Sequence, residues 1–200
     1  MKRMTMNSKL KPVFIFCSLV SLGILVRVAF QDIPNFAPVA ALALFAGFYF
    51  QRTLVAAAVP LLVMAVSDRM VDAGGYSWPL MLTVYGLLAL PVLFSNHLRR
   101  LVQFEDRNPR KLTGEGLAVG GYSLASSLLF FVGTNAMVWA TTSIYPSDLE
   151  GLVACYVAAI PFFKYTLTGD LIFGACLFGS LAAFRSAFST AKEVAPVVEA

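Results

Sequence analysis

Two opposite charges lie in a stretch of chain that is otherwise almost entirely apolar. Lys164 and Asp170 are six residues apart within residues 151–174, and Phe162 and Phe163 directly precede the lysine. An ionised side chain is unfavourable in an apolar medium unless an opposite charge, a hydrogen-bond partner or a bound polar molecule faces it. The two charges therefore indicate either an internal ion pair or a place where a polar solute binds.

Other polar side chains in the apolar segments can be explained in the same two ways. Arg27 and Lys164 could hold an anionic group of a solute, and Trp139 could stack on a ring. Each also has an ordinary structural explanation, since arginine and lysine can snorkel towards water and tryptophan anchors helices at membrane interfaces. Asp170 could start a helix or pair with Lys164 or Arg27.

The motifs that would indicate an enzyme or a nucleotide-binding protein are missing. The sequence has no GxxxxGK[ST], HExxH, GxSxG or GxGxxG pattern. The three cysteines, Cys17, Cys155 and Cys176, lie in apolar runs without the CxxC spacing of a metal site. We therefore predict that the protein is not an enzyme, and we predict no cofactor, no metal ion and no catalytic residue.

Composition indicates the medium in which these residues lie. Hydrophobic residues make up 58% of the 200, and charged residues make up 13%. A soluble domain has about 25% charged residues, so this chain could not cover a globular surface with polar groups. We predict an all-α, polytopic transmembrane bundle that forms one domain over residues 1–200, with the lipid bilayer as its surroundings.

The apolar segments give the number of helices. A helix needs about 20 apolar residues to cross the hydrocarbon of a bilayer. The candidate spans are residues 13–30, 36–50, 53–67, 79–95, 117–140 and 168–187. The second and third are short and are joined only by Gln51 and Arg52. The pattern predicts about six helices that make six crossings, with four crossings plus a re-entrant pair as the alternative.

Basic residues indicate the orientation of the bundle. Of the 15 Lys and Arg residues, all except Arg27, Arg69 and Lys164 fall on the side of the N-terminus. The positive-inside rule therefore places both termini in the cytoplasm. The cytoplasmic parts are then segment 1–12, the basic loop 95–116 and the tail 188–200. Because topology explains the basic excess, no nucleic-acid partner is predicted.

The segment before the last span predicts a separate short helix. Ser147 and Glu150 form an S-x-x-E capping box, which starts a helix near Asp148. Pro161 removes a backbone donor and predicts an end or a kink of that helix near Ile160. A helix of this length would not cross, so we expect an interfacial or re-entrant helix at the outer surface.

The end of this segment predicts where the final helix begins. A break at 168–169 would place Asp170 in the first turn of that helix, where the helix dipole favours a carboxylate. The side-chain distance between Lys164 and Asp170 then cannot be derived from their spacing.

The predicted orientation places the polar side chains on one side. They lie in the outer halves of the helices or in outer loops, whereas the inner halves hold few such groups. Tyr76 and Trp78 belong to the same side. This clustering predicts an outward-facing polar pocket. The predicted solute-binding residues are Arg27, Asn35, Asp68, Thr134, Asn135, Trp139, Tyr156, Lys164 and Asp170.

Four stretches carry a resemblance to a known family. They are NFAPVAALALFAGFYF at 35–50, PLLVMAVSD at 60–68, FFVGTNAMVWA at 130–140 and YPSDLEGLVACYVAAIPFFKYTLTGDLIF at 145–173. With the spans between them they cover most of residues 30–185. The chain resembles a bacterial family of uncharacterised six-helix membrane proteins that is grouped with the substrate-binding (S) components of energy-coupling-factor transporters.

The resemblance implies a subunit of the bacterial inner membrane that captures a small molecule from outside. It would work with a separate transmembrane coupling protein and a pair of cytoplasmic ATPases, which fits the missing nucleotide motif. S components dock through an Ala-x-x-x-Ala pattern in the first helix. Here Cys17 and Ser21 are the nearest small pair.

The sequence leaves two functions open. The first is a transport protein that binds a small polar solute in the outer pocket. The second is a non-transporting scaffold or assembly protein whose polar groups pair internally. A filled outer half, with Arg27 and Lys164 paired to Asp68 and Asp170, would favour the second.

Overall fold

The fold is a bundle of α-helices. The structure is a computed structural model that describes residues 10–71, 77–104 and 108–194, and over 188–194 only the helical backbone. The helices are α1 (Leu10–Ala29), α2 (Val39–Tyr49), α3 (Thr53–Ser67), α4 (Trp78–Ala89), α5 (Pro91–Leu101), α6 (Pro109–Thr141) and α7 (Leu149–Val194). Only Leu90 separates α4 from α5, so these two form one interrupted helix. The predicted all-α bundle of about six helices is confirmed.

The helices fall into two groups by length, which are long helices and short helices. Long apolar helices that could cross a membrane are α1, α4 and α5 together, α6, and residues 149–187 of α7. By contrast, α2 and α3 have 11 and 15 residues. At 1.5 Å per residue they span only about 16 and 22 Å. The chain is a helical membrane protein, and these lengths favour four crossings plus a shorter pair over six full crossings.

Helix α2 is short and lies inside the protein. All of its residues except Tyr49 are buried, and it contacts each of the other helices. Phe45 and Phe48 pack edge-on against Phe178 of α7, with ring centres 5.2 Å apart in both pairs. A helix enclosed by other helices need not match the thickness of the hydrocarbon, because protein rather than lipid surrounds it.

The close approach of α5 to α2 depends on Gly47. A Cβ atom at this position would lie 2.3 Å from Ser95 Oγ and 3.0 Å from Val92 Cα. Glycine therefore allows the two backbones to meet. Ser95 and Val92 belong to the buried face of α5, together with Pro91 and Leu98, at helical spacing.

Residues 95–116, predicted as a cytoplasmic loop, are largely helical. Helix α5 continues to Leu101 and α6 begins at Pro109, where the missing backbone donor of proline is harmless. Asn108 caps α6 by accepting a hydrogen bond from Arg110 N at 3.0 Å. Of the charged residues that suggested a loop, Arg99, Arg100, Arg110, Lys111 and Glu115 lie in α5 or α6, and residues 105–107 lie outside the described residues. Residues 1–9 and 195–200 of the predicted terminal segments lie outside the described residues.

Helix α7 begins close to the predicted position but with a different cap. Asp148 Oδ1 accepts a hydrogen bond from Gly151 N at 2.8 Å, so Asp148 rather than Ser147 supplies the capping oxygen. Gly151 lies against the preceding loop, where an added Cβ would meet Pro146 O at 2.0 Å. The helix start is thus determined by local contacts at residues 146–151.

The predicted separate short helix and the break at 168–169 are wrong. Helix α7 runs without interruption from Leu149 through Pro161 to Val194. An interior proline removes one backbone hydrogen bond, and neighbouring helices can compensate for this in a membrane bundle. Gly169 continues the helix and faces the start of α2, where an added Cβ would lie 3.4 Å from Ala37 O.

Candidate functional site

A cavity of about 340 Å³ lies where α1 and α3 end and α2 and α4 begin. We call this side of the bundle the cavity end. The polar residues that line the cavity are Arg27, Gln31, Asn35, Asp68, Tyr85, Thr166 and Asp170. Phe30, Phe36, Phe130, Met64 and Met81 are among its apolar lining residues. Four residues predicted for the site therefore line one cavity: Arg27, Asn35, Asp68 and Asp170.

An ion pair joins the ends of α1 and α3 beside the cavity. Arg27 Nη2 donates to Asp68 Oδ1 at 2.6 Å, and the two side chains are 16% and 21% exposed. Tyr85 Oη of α4 donates to the other carboxylate oxygen, Asp68 Oδ2, at 2.7 Å. Arg27 Nη1 also contacts Met64 Sδ. Asp68 thus connects three helices, and the charge of Arg27 is balanced within the chain.

Asp170 lies on the buried wall of the cavity and is 1% exposed. Its Oδ1 accepts a hydrogen bond from Ala41 N at 3.2 Å, and its Oδ2 accepts one from Ser127 Oγ at 2.7 Å. Ala41 belongs to the first turn of α2, whose own N-cap residue, Pro38, makes no side-chain cap. The carboxylate therefore caps α2 from α7, where the helix dipole favours a negative charge.

The comparison with known families gives one match. The model of a family of unknown function, DUF6580, matches residues 7–193. The chain belongs to this family. No curated protein and no solved structure matches the chain. Family membership therefore agrees with the predicted resemblance to uncharacterised membrane proteins.

Thr134 and Asn135, both predicted for the site, do not line the cavity in this family member. Thr134 Oγ1 donates to Phe130 O, and Asn135 Nδ2 donates to Phe131 O, both at 2.7 Å. Each bond lies within α6 and satisfies a polar group on a backbone carbonyl of the same helix. Their predicted depth in the bundle therefore did not place them in the cavity lining, because their side chains turn back onto α6.

Trp139 and Tyr156 connect α6 to the following segment. Trp139 Nε1 donates to Pro146 O at 2.9 Å, and Tyr156 Oη donates to Val132 O at 2.7 Å. Neither residue lines the cavity. Both tether the start of α7 to α6, which explains their polar atoms without a bound solute.

Lys164 and Asp170 face different surroundings. Because α7 is continuous, six residues of helix separate them by about 9 Å along the axis and about 120° around it. Lys164 is exposed, and its Nζ lies 4.8 Å from the ring centre of Tyr165. The structure therefore gives Asp170 an internal partner in α2, and Lys164 a position at the surface of the bundle.

Sequence reasoning missed Gln31, Tyr85 and Thr166 in the cavity lining, and it missed Ser127 as a partner of Asp170. Tyr85 was read as part of an apolar span, although a tyrosine hydroxyl within a membrane helix needs a partner. Thr166 is four residues before Asp170, and this spacing signals a shared helix face once α7 is known to be continuous. Of the remaining predicted outer residues, Trp78 is exposed, and Tyr76 lies outside the described residues.

The opposite end of the bundle contains a second polar cluster. Arg99 Nε donates to Phe48 O at 3.0 Å, and its Nη2 donates to Gly47 O and Phe50 O at the end of α2. Glu115 is 4% exposed and accepts hydrogen bonds from backbone amides of the loop that follows α5. These side chains form hydrogen bonds with backbone groups at the end of α2 and in the loop after α5, so a bound solute is not needed to explain them. The cavity end is therefore the better candidate site.

Proposed function

We propose that the protein is a membrane transport protein that binds a small solute in the cavity. The observation that carries this proposal is the convergence of polar side chains from α1, α3, α4 and α7 on one cavity of about 340 Å³. Small-molecule sites have volumes of about 300–1,000 Å³, with a few polar groups set among apolar walls. The cavity has this character and suits a solute at the small end of that range.

The proposal includes an orientation and a location. The cavity would open to the outer face of the bacterial inner membrane, with both termini in the cytoplasm. Basic residues on the helix ends and connections opposite the cavity support this orientation. They are Arg52, Arg99, Arg100, Arg110, Lys111 and Arg185.

The proposal also includes partners. By its resemblance to the substrate-binding components of energy-coupling-factor transporters, the chain would act with a transmembrane coupling protein and cytoplasmic ATPases. Helix α1 offers a face for such a partner, because Cys17 and Ser21 are exposed while Leu19 and Gly23 pack inward. Neither catalysis nor nucleic-acid binding forms part of the proposal.

A scaffold without a solute is the second candidate, and one observation favours it. Arg27 is paired with Asp68, and Asp170 caps α2, so the charges that line the cavity have partners within the chain. The volume of the cavity favours solute binding instead.

Retention of small molecules by the purified protein tests the proposal. Met81 lines the cavity, whereas its neighbour Leu82 is 66% exposed and does not. We expect mass spectrometry of the denatured, purified protein to detect a retained compound. Met81→Trp should remove most of that compound because the larger side chain fills the cavity, and Leu82→Trp should not.

The matched pair also separates the two candidates. If the wild-type protein and both folded variants release no compound, the scaffold is favoured. Equal retention by Met81→Trp and Leu82→Trp would show that any retained compound lies outside the cavity.

A further inference from the structure

The cavity has two features that would attract an anion, and carboxylates of the chain occupy both. The first is the guanidinium of Arg27. The second is the N-terminus of α2, since amides at the start of a helix carry partial positive charge and bind anions. Asp68 binds the first and Asp170 binds the second.

The first position is held by more than one contact. Arg27 Nη2 lies 2.6 Å from Asp68 Oδ1, while Tyr85 Oη lies 2.7 Å from Asp68 Oδ2. An anion at Arg27 would have to compete with this carboxylate, which Tyr85 of α4 also holds. Displacement would leave Asp68 without its counter-ion in a largely apolar setting, which is unfavourable.

The second position is less accessible still. Asp170 is 1% exposed, and Ser127 Oγ donates to its second oxygen at 2.7 Å. An anion at the start of α2 would have to displace the side chain of Asp170 from the amide of Ala41. The helix dipole at this end therefore stabilises the chain itself and is not available to an anionic solute.

The described lining as a whole offers an anion little. Its charged side chains are one cationic residue, Arg27, and two acidic residues, Asp68 and Asp170. The rings of Phe30, Phe36 and Phe130 also line the cavity, and the faces of aromatic rings attract cations.

We propose that the cavity selects a neutral or singly cationic solute with an aromatic or apolar part and excludes anions. This inference rests on the proposed function and gives it a substrate class. It replaces the expectation that Arg27 and Lys164 hold an anionic group, because Arg27 is paired and Lys164 does not line the cavity.

Three probes of similar shape and different charge test the inference. They are phenethylamine, which is cationic, phenethyl alcohol, which is neutral, and hydrocinnamate, which is anionic. Binding to the full-length protein in nanodiscs would be measured by calorimetry, with the Met81→Trp variant as the blank for partition into lipid. We expect the amine or the alcohol to bind at least about tenfold more tightly than hydrocinnamate. Equal or tighter binding of hydrocinnamate, or binding of none of the three, would overturn the inference.

Two variants that each remove one carboxylate test whether the Arg27–Asp68 pair causes the exclusion of anions. Asp68→Asn frees Arg27 from its carboxylate while keeping an acceptor for Tyr85, and should raise the affinity for hydrocinnamate by about tenfold. Asp32→Asn removes one carboxylate that is exposed and does not line the cavity, and should leave the affinity unchanged. An equal response of the two variants would contradict the role of the Arg27–Asp68 pair.

The outcomes distinguish this inference from the proposed function. A compound that the wild-type protein retains and Met81→Trp loses, but that proves to be an anion, would support solute binding and overturn the selectivity. Retention of an amine or an uncharged compound would support both.

Discussion

Asp170 and Arg99 bind opposite ends of the same buried helix, α2. The carboxylate of Asp170 accepts a hydrogen bond from Ala41 N in the first turn, and Arg99 donates to the carbonyls of Gly47, Phe48 and Phe50 at the other end. A negative charge at the N-terminus and a positive charge at the C-terminus complement the helix dipole. A helix of 11 residues is thus held by charges from α7 and α5.

Removal of the Asp170 carboxylate should destabilise the protein. Asp170→Ala leaves the amide of Ala41 without its acceptor, and it leaves the hydroxyl of Ser127 with only the carbonyl of Ser123. We expect a loss of about 1–3 kcal/mol in the free energy of unfolding. Asp170→Asn keeps an oxygen for Ala41 and should lose less. Unfolding in detergent micelles would measure both, with the exposed Asp32→Ala as control. An Asp170→Ala protein as stable as the control would show that the cap is dispensable.

Substitution of Arg99 tests the other end of α2. Arg99→Lys keeps the charge but loses the fork that reaches several carbonyls, so we expect a loss of about 1 kcal/mol. Arg100→Lys is the matched control, because Arg100 is the exposed neighbour on the same helix. Thermal unfolding of the two variants should differ, and equal melting temperatures would mean that the Arg99 contacts contribute nothing measurable.

The assignment of residues to the cavity predicts which variants change solute retention. Tyr85→Phe removes the hydroxyl that holds Asp68 at 2.7 Å, and should lower the amount of retained compound by up to about tenfold. Asn135→Ala and Lys164→Ala should retain as much as the wild type, since neither residue lines the cavity. The measurement is mass spectrometry of compounds released from the folded variants. Loss of the compound in Asn135→Ala and Lys164→Ala, but not in Tyr85→Phe, would place the site at α6 and the surface of α7 instead.

The proposed orientation predicts the accessibility of each end of the bundle. In a background with Cys17, Cys155 and Cys176 replaced, Asp32→Cys at the cavity end should react with a membrane-impermeant maleimide in intact cells. Arg110→Cys at the opposite end should react only after the cells are opened. Labelling of Arg110→Cys alone in intact cells would place the cavity on the cytoplasmic side.

The sequence predicts the chemistry of the candidate site better than its geometry. Arg27, Asp68 and Asp170 stand out because charges are rare in apolar segments, and they do line one cavity. Asn135 and Trp139 are uncharged residues that were predicted for the same site, but their side chains point elsewhere, towards carbonyls of Phe131 and Pro146. The polarity of a residue and its position along the helix therefore identify candidates for the site. The direction in which its side chain points from the helix decides whether it lines the cavity.

The helix boundaries also divide into those that local residues determine and those that packing determines. The capping signals near Asp148 predict the start of α7 because a cap depends on neighbouring residues alone. Pro161 and Gly169 do not interrupt α7 as predicted, because the effect of a proline or glycine on a helix depends on what packs against it. The same holds for α2, whose short apolar run looks like an incomplete crossing until its burial by other helices is known.

The sequence by itself determined that this chain is a helical membrane protein with a few costly charges, because composition and hydropathy are properties of the residues. Only the tertiary structure decided what those charges do. Asp170 and Ala41 are 129 residues apart, and Arg27 and Asp68 are 41 apart, so their contacts depend on which helix faces meet. That choice depends on packing across the whole bundle, which no local pattern encodes.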